Sequence, residues 1–161
     1  MSIRHRRKVL SLGVISEGTL KAEDIVSAMA SELAPLRLSR SHRALVAKAR
    51  RFDPSAYDDD DLAASNAADD LLTDLMNAAE DYLPAYAHIG MAEGDGACLG
   101  VWASLESLSE DARFGDGVLK VADTGEVPRG YSGFVMDVND HGNVTLYRAS
   151  RGKLREIWAI V

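Results

Sequence analysis

Gly133-Phe-Val-Met-Asp-Val138, Asn139-Asp-His-Gly142, Asn143-Val-Thr-Leu-Tyr-Arg148, Ser150-Arg-Gly152 and Leu154-Arg-Glu-Ile-Trp-Ala-Ile-Val161 make up the stretch on which the reading of the fold turns. Apolar and polar positions alternate along it, and the alternation is broken twice by glycine-containing turn sequences. Three runs rich in β-branched and aromatic residues, joined by two short breaks able to take positive φ, read as a β-meander. Upstream, Ala85 to Ala92, the turn Glu93-Gly-Asp-Gly96 and Ala97 to Ala103 read as strand, turn and strand, with Asp95-Gly96 as the hairpin signal. Val118 to Ala122 is a further short strand, whereas the polar stretch from Ser104 to Gly117 reads as a loop or a short helical turn.

Helical spacing governs the first half instead. Ala22, Ile25, Val26, Met29 and Leu33 recur at 3.6-residue intervals behind Thr19 as N-cap, and Pro35 stops the run. A second helix is expected between Arg37 and Phe52, capped by Ser41, with Ala44, Leu45, Ala49 and Phe52 inward. A third should run from about Leu62 to Tyr82, its apolar stripe formed by Ala68, Leu71, Leu72, Leu75, Met76, Ala79 and Leu83, with Pro84 closing it. Helices first and strands later, without β-α-β alternation, predict an α+β fold: an antiparallel sheet of about five strands in the C-terminal half, covered on one face by helices from the N-terminal half. At 161 residues, one domain spanning 1–161 is expected, with 1–17 a basic leader, 18–84 mainly helical and 85–161 mainly antiparallel β.

Composition narrows the setting. One cysteine, Cys98, cannot form an internal disulfide, and the four histidines stand singly, which suits a reducing compartment and offers no metal-ligand spacing. The start, Arg4-His-Arg-Arg-Lys8 before Val9 to Ile15, resembles a charged leader, but the apolar part is short and holds Ser11 and Gly13, so mature protein is expected rather than a signal peptide. No run reaches the roughly 18 apolar residues of a membrane span. A soluble cytoplasmic protein without a membrane partner is expected.

The net charge of −7 conceals a segregation. Residues 1–52 hold 11 basic and 4 acidic side chains, residues 53–112 hold 15 acidic and no Lys or Arg, and residues 113–161 hold 7 basic and 6 acidic. Asp58, Asp59, Asp60, Asp61, Asp69, Asp70 and Asp74 belong to the acidic third and are the candidate partner-binding residues, suited to a basic protein and repelling nucleic acid. A solvated helix face, partly neutralised by the basic third, accounts for the same carboxylates without a partner. Arg37, Arg40, Arg43, Lys48, Arg50 and Arg51 form the basic counterpart; they can meet phosphate or lie across the acidic segment, and covalent adjacency favours the latter. Asp58 to Asp61 lack the spacing of a calcium loop, so neither a metal nor another cofactor is expected.

Catalytic signals are sparse. Asp95 and His141 both occupy glycine-flanked turns, and Asp95 would orient His141 as a general base if the sheet brought the two turns to one edge. Turn chemistry alone selects the same residue types. Gly94-Asp-Gly96 precedes a strand and lacks a following Lys-Ser/Thr, so it does not cradle phosphate. Cys98, set among Ala97, Leu99 and Val101, reads as a buried structural thiol, and Trp102 and Trp158 read as packed side chains.

Gly18-Thr-Leu-Lys-Ala-Glu-Asp24, Gly94-Asp-Gly96 with Val101-Trp102, Leu119-Lys-Val121 with Glu126-Val-Pro128, Val138-Asn-Asp-His-Gly-Asn-Val-Thr-Leu-Tyr147 and Glu156-Ile-Trp158 together resemble a group of small uncharacterised proteins encoded on bacteriophages, plasmids and integrated mobile elements. The resemblance spans most of the chain apart from the leader and residues 36–60. It implies an accessory that acts by binding host factors, defence systems among them. The expected function is therefore a non-enzymatic acidic accessory protein that binds a basic host protein, with inhibition of a defence nuclease as one form of it. Alternatives are a small hydrolase or transferase using Asp95 and His141, and nucleic-acid binding through the basic third.

Overall fold

The computed structural model describes residues 8–57 and 61–161 and, at Asp61, the backbone alone. The chain divides into two compact units: residues 1–83 with 87–102, and residues 84–86 with 103–161.

The first unit is built on three helices and three strands. β1 (Gly13–Ser16) leads to α1 (Ala22–Leu33), α2 (Arg40–Ala49), a 3-10 turn at Pro54–Tyr57 and α3 (Asp61–Glu80). β2 (Ala87–Ala92) and β3 (Asp95–Ala103) follow, in the sheet order β1-β3-β2 with β1 antiparallel to β3. Ile25, Val26, Met29 and Leu33 of α1 face Leu71, Leu75 and Ala79 of α3 in one core that also takes Leu99 and Val101 from β3. Each large side chain buried there contributes about 1.5–3 kcal/mol over its exposed state. Thr19 does not cap α1. It closes the preceding turn instead, accepting from the Lys21 N–H at 3.1 Å and donating to Asp24 at 2.9 Å, so the helix begins at Ala22.

α2 is capped by Ser39, whose hydroxyl accepts from the His42 N–H at 3.1 Å, rather than by Ser41. Ala49 is buried and Leu45 and Phe52 pack against the core as expected, whereas Val46 is buried as well and Ala44 is exposed. The β2–β3 turn centres on Glu93-Gly94, with Gly94 at φ 78°, and Asp95-Gly96 already belong to β3. The Trp102 indole N–H donates to the Gly90 carbonyl at 2.9 Å, tying β3 to β2.

The second unit holds α4 (Leu105–Phe114), β4 (Val118–Val121), a 3-10 turn at Thr124–Glu126, β5 (Gly133–Val138), β6 (Val144–Ser150) and β7 (Lys153–Ile160). The sheet order is β4-β5-β6-β7. The β5-β6-β7 meander is the one the alternation predicts, both pairs antiparallel, with Phe134 opposite Arg148 and Leu146 opposite Trp158. Arg151-Gly152, at φ 52° and 73°, makes the tight β6–β7 turn. One side of this sheet buries Val121, Val135 and Ala149 under Val127 and Tyr131. Trp158 is buried and donates its indole N–H to the Ala85 carbonyl at 2.8 Å. The Tyr86 hydroxyl donates to Asp111 at 2.6 Å and its ring meets Phe134 edge-on, with the Arg148 guanidinium 4.7 Å from the Phe134 centroid. Burial and then the Asp111 carboxylate push the Tyr86 phenol up to about 12.

The fold is α+β, as the residue pattern predicts, and the sheet differs from the expected single antiparallel one of about five strands in two respects. Its strands form two sheets, of three and four strands. β4 runs parallel to β5, because residues 122–132 carry the chain back over the sheet rather than reversing it in a hairpin. The stretch from Ser104 to Gly117 forms a regular helix, α4, closed by Gly115 at φ 75°. Its polar composition hides it: Leu108 alone is buried.

Candidate interaction surface

α3 presents two unlike sides. Ala68, Leu71, Leu75 and Ala79 of the apolar stripe are buried and Leu72 and Met76 half-buried; Asp69, Asp70, Thr73, Asp74, Asn77 and Glu80 are exposed, and the Asp81 side chain beyond the helix end is 72 % exposed. Thr73 turns its hydroxyl back to the Asp69 carbonyl at 2.9 Å, so it does not screen the carboxylates beside it. Asp70 and Asp74 stand four residues apart on one helix face, a like-charge spacing that costs a few tenths of a kcal/mol. Glu80 and Asp81 lie at the negative end of the helix dipole, with no basic residue in the last turn. Among the described residues, the ion pair made by these carboxylates is Asp81 with His42 at 4.0 Å, and no Lys or Arg pairs with Asp69, Asp70 or Asp74. Helix stability therefore does not account for the pattern.

The expected cover over this face does not form. α2 packs on both α1 and α3, yet Arg37, Arg40, Arg43, Lys48, Arg50 and Arg51 are all exposed, and Arg43 donates to the Leu38 carbonyl at 3.2 Å instead of to a carboxylate. Among the described residues the two charge classes stay separate on the first unit, except at His42 and Asp81. Asp58, Asp59 and Asp60 lie outside the described residues, as does the side chain of Asp61.

Asp95 is exposed at the start of β3 in the first unit and accepts from the Ala97 N–H at 3.0 Å. His141 is exposed in the second unit, in the β5–β6 turn, where its N–H donates to Asn139 at 3.0 Å. Each is held by its own turn. Cys98 is buried in β3, and burial pushes its thiol up, with Asp95 and Glu17 adding to the effect. Among the described residues no group of three His, Cys, Asp or Glu is placed to hold a metal ion, and no helix is long and apolar enough to cross a membrane.

Asp137 was not among the residues singled out by sequence. One of its carboxylate oxygens is buried without a hydrogen-bond partner, and burial, followed by Asp123 and Glu126, raises its pKa. Period two from Val135 places it on the sheet face that forms the small core, which is the signal that could have found it. Compared with known proteins, the chain matches no family model, no curated protein and no solved structure.

Proposed function

We propose that the chain is a non-enzymatic binding protein of a mobile genetic element that engages a basic host protein in the cytoplasm through the outer face of α3. Asp69, Asp70 and Asp74 form the docking face, extended by the sequence-adjacent Asp58 to Asp61. The observation that carries this reading is that the described α3 carboxylates are exposed and unmatched by guanidinium groups although an arginine-rich helix packs in the same unit. An uncompensated field of one sign accelerates encounter with a cationic partner and rejects anionic ones. A defence nuclease, whose substrate-binding surface is cationic, is the partner class that the mobile-element resemblance suggests.

The test is a pull-down from host lysate with the full chain and with its Asp69→Asn, Asp70→Asn, Asp74→Asn variant, both shown to unfold at the same temperature. A partner held by the parent at low salt, released as salt rises and absent from the variant supports the reading. Partners recovered equally by both chains overturn it.

A further inference from the structure

The segment that follows Lys8 and the start of α2, far apart in sequence, are both tied to Tyr82. The Leu10 N–H donates to the Tyr82 carbonyl at 2.7 Å, so Lys8, two residues before it, enters beside the end of α3. The Tyr82 hydroxyl accepts from the Ser39 N–H at 2.9 Å and lies 3.0 Å from His42 Nδ1, which fixes the start of α2 at the same corner. From there Arg40, Arg43 and Lys48 continue along one side of α2, at spacings of three and eight residues from the first, and Arg51 follows in the turn just past the helix end.

The composition of that side selects its occupant. Ala44 and Ala47 lie between the cations, and Ala44 is exposed. Small residues there let the helix backbone approach closely. The aromatic residues on this side are the half-buried Phe52 and Tyr57, which meet each other at 6.2 Å between ring centroids at the C-terminal end of the row, beside the exposed Asp53. An interfacial membrane helix needs a large apolar face opposite its charges, but the other side of α2 is spent on the core through Val46 and Ala49. A protein interface draws its energy from fully desolvated aromatic and large apolar anchors, whereas the one aromatic pair here, Phe52 with Tyr57, is half-buried at the end of the row and the stretch between the cations holds alanines. Arginines that lack carboxylate partners and flank small residues match a row of phosphates. A shallow groove of about 350 Å³ beside α2, lined by Arg43, Arg50 and Arg51 with Ala34, Leu38, Val46 and Ala47, adds Arg50 to the cations of the row.

We propose that Lys8, Arg37 and the outer side of α2 form a sequence-independent binding surface for the phosphate backbone of duplex nucleic acid. The surface is separate from the carboxylates of α3, and neither reading depends on the other.

The test is fluorescence anisotropy of the full chain with a labelled 20-base-pair DNA duplex at pH 7.5 over 20–200 mM NaCl. A companion chain carries Arg40→Gln, Lys48→Gln and Arg51→Gln, three exposed side chains that make no hydrogen bond or ion pair among the described residues. Binding should fall log-linearly with salt and be indifferent to duplex sequence. The companion should bind about tenfold or more weakly at 50 mM salt, with a slope reduced by about 2.7, the counterion release of three phosphate contacts. The Asp69→Asn, Asp70→Asn, Asp74→Asn variant should bind duplex at least as tightly as the parent while losing any protein partner of α3. No binding at 20 mM salt, or a companion with the parent's affinity and slope, overturns the proposal. So does α2-dependent binding that is tighter to vesicles containing phosphatidylserine, or to polyglutamate, than to duplex.

Discussion

The hydroxyl of Tyr82, just beyond the end of α3, stands 3.0 Å from Nδ1 of His42 in the first turn of α2. The same oxygen accepts from the Ser39 backbone, so one phenol joins two helices whose described arginine and aspartate side chains do not pair with each other. Tyr82→Phe keeps the buried ring, leaves the Ser39 N–H without its acceptor and leaves His42 Nδ1 with Asp81 at 4.0 Å alone. It should lower stability by about 1–3 kcal/mol. Hydrogen exchange should show amides of α2 losing protection more than those of α1; equal loss throughout would contradict a local tie.

Gly100 leaves no room for a side chain. A Cβ there would come within 2.7 Å of the Gly13 carbonyl on β1 and 2.6 Å of the Trp102 ring. The carbonyl is backbone paired in register with β3, so it cannot swing aside as a flexible side chain would. Gly100→Ala should cost about 1–3 kcal/mol and detach β1. Chemical denaturation, with Trp102 fluorescence as the local probe, checks this; an unchanged midpoint would refute it.

Asp137 makes stability depend on pH with a definite sign. Its folded pKa is raised, so the folded state holds the proton more tightly than the unfolded chain does. The contribution is fully present below the ordinary carboxylate value of about 3.9 and is lost as pH rises through the folded value. Asp137→Asn removes that titration. The variant's melting temperature relative to the parent should climb as pH rises from 3.5 and then level off, with a gain on the order of 1 kcal/mol at neutral pH. A difference that is flat or shrinks over this range would be the opposite result.

Cys98 should be chemically quiet. A buried thiol with a raised pKa supplies little thiolate and little access. Reaction with an aromatic disulfide reagent at pH 8 should proceed at the rate of unfolding and become fast in denaturant. Rapid labelling of the native chain would show that β3 opens there.

Much of this fold is legible in single residues. Strand alternation from Gly133 to Val161 identifies the meander because the pleat repeats every two residues whatever surrounds it, and Pro35 and Pro84 bound helices because a missing N–H acts locally. α4 is not legible, since one buried leucine in ten residues makes no periodic stripe. Neither is the parallel β4–β5 pair, because strand direction depends on the path of a connection rather than on the residues within the strand.

The sequence by itself determined the α+β class, the placement of most elements and the segregation of charge along the chain, all of which follow from local periodicity and composition. Whether those charges neutralise one another was decided by tertiary structure. Opposite charges that are neighbours in sequence meet only if packing turns their side chains together. Here the apolar stripes of α2 and α3 take the inward positions, leaving arginines and aspartates facing solvent on their own sides.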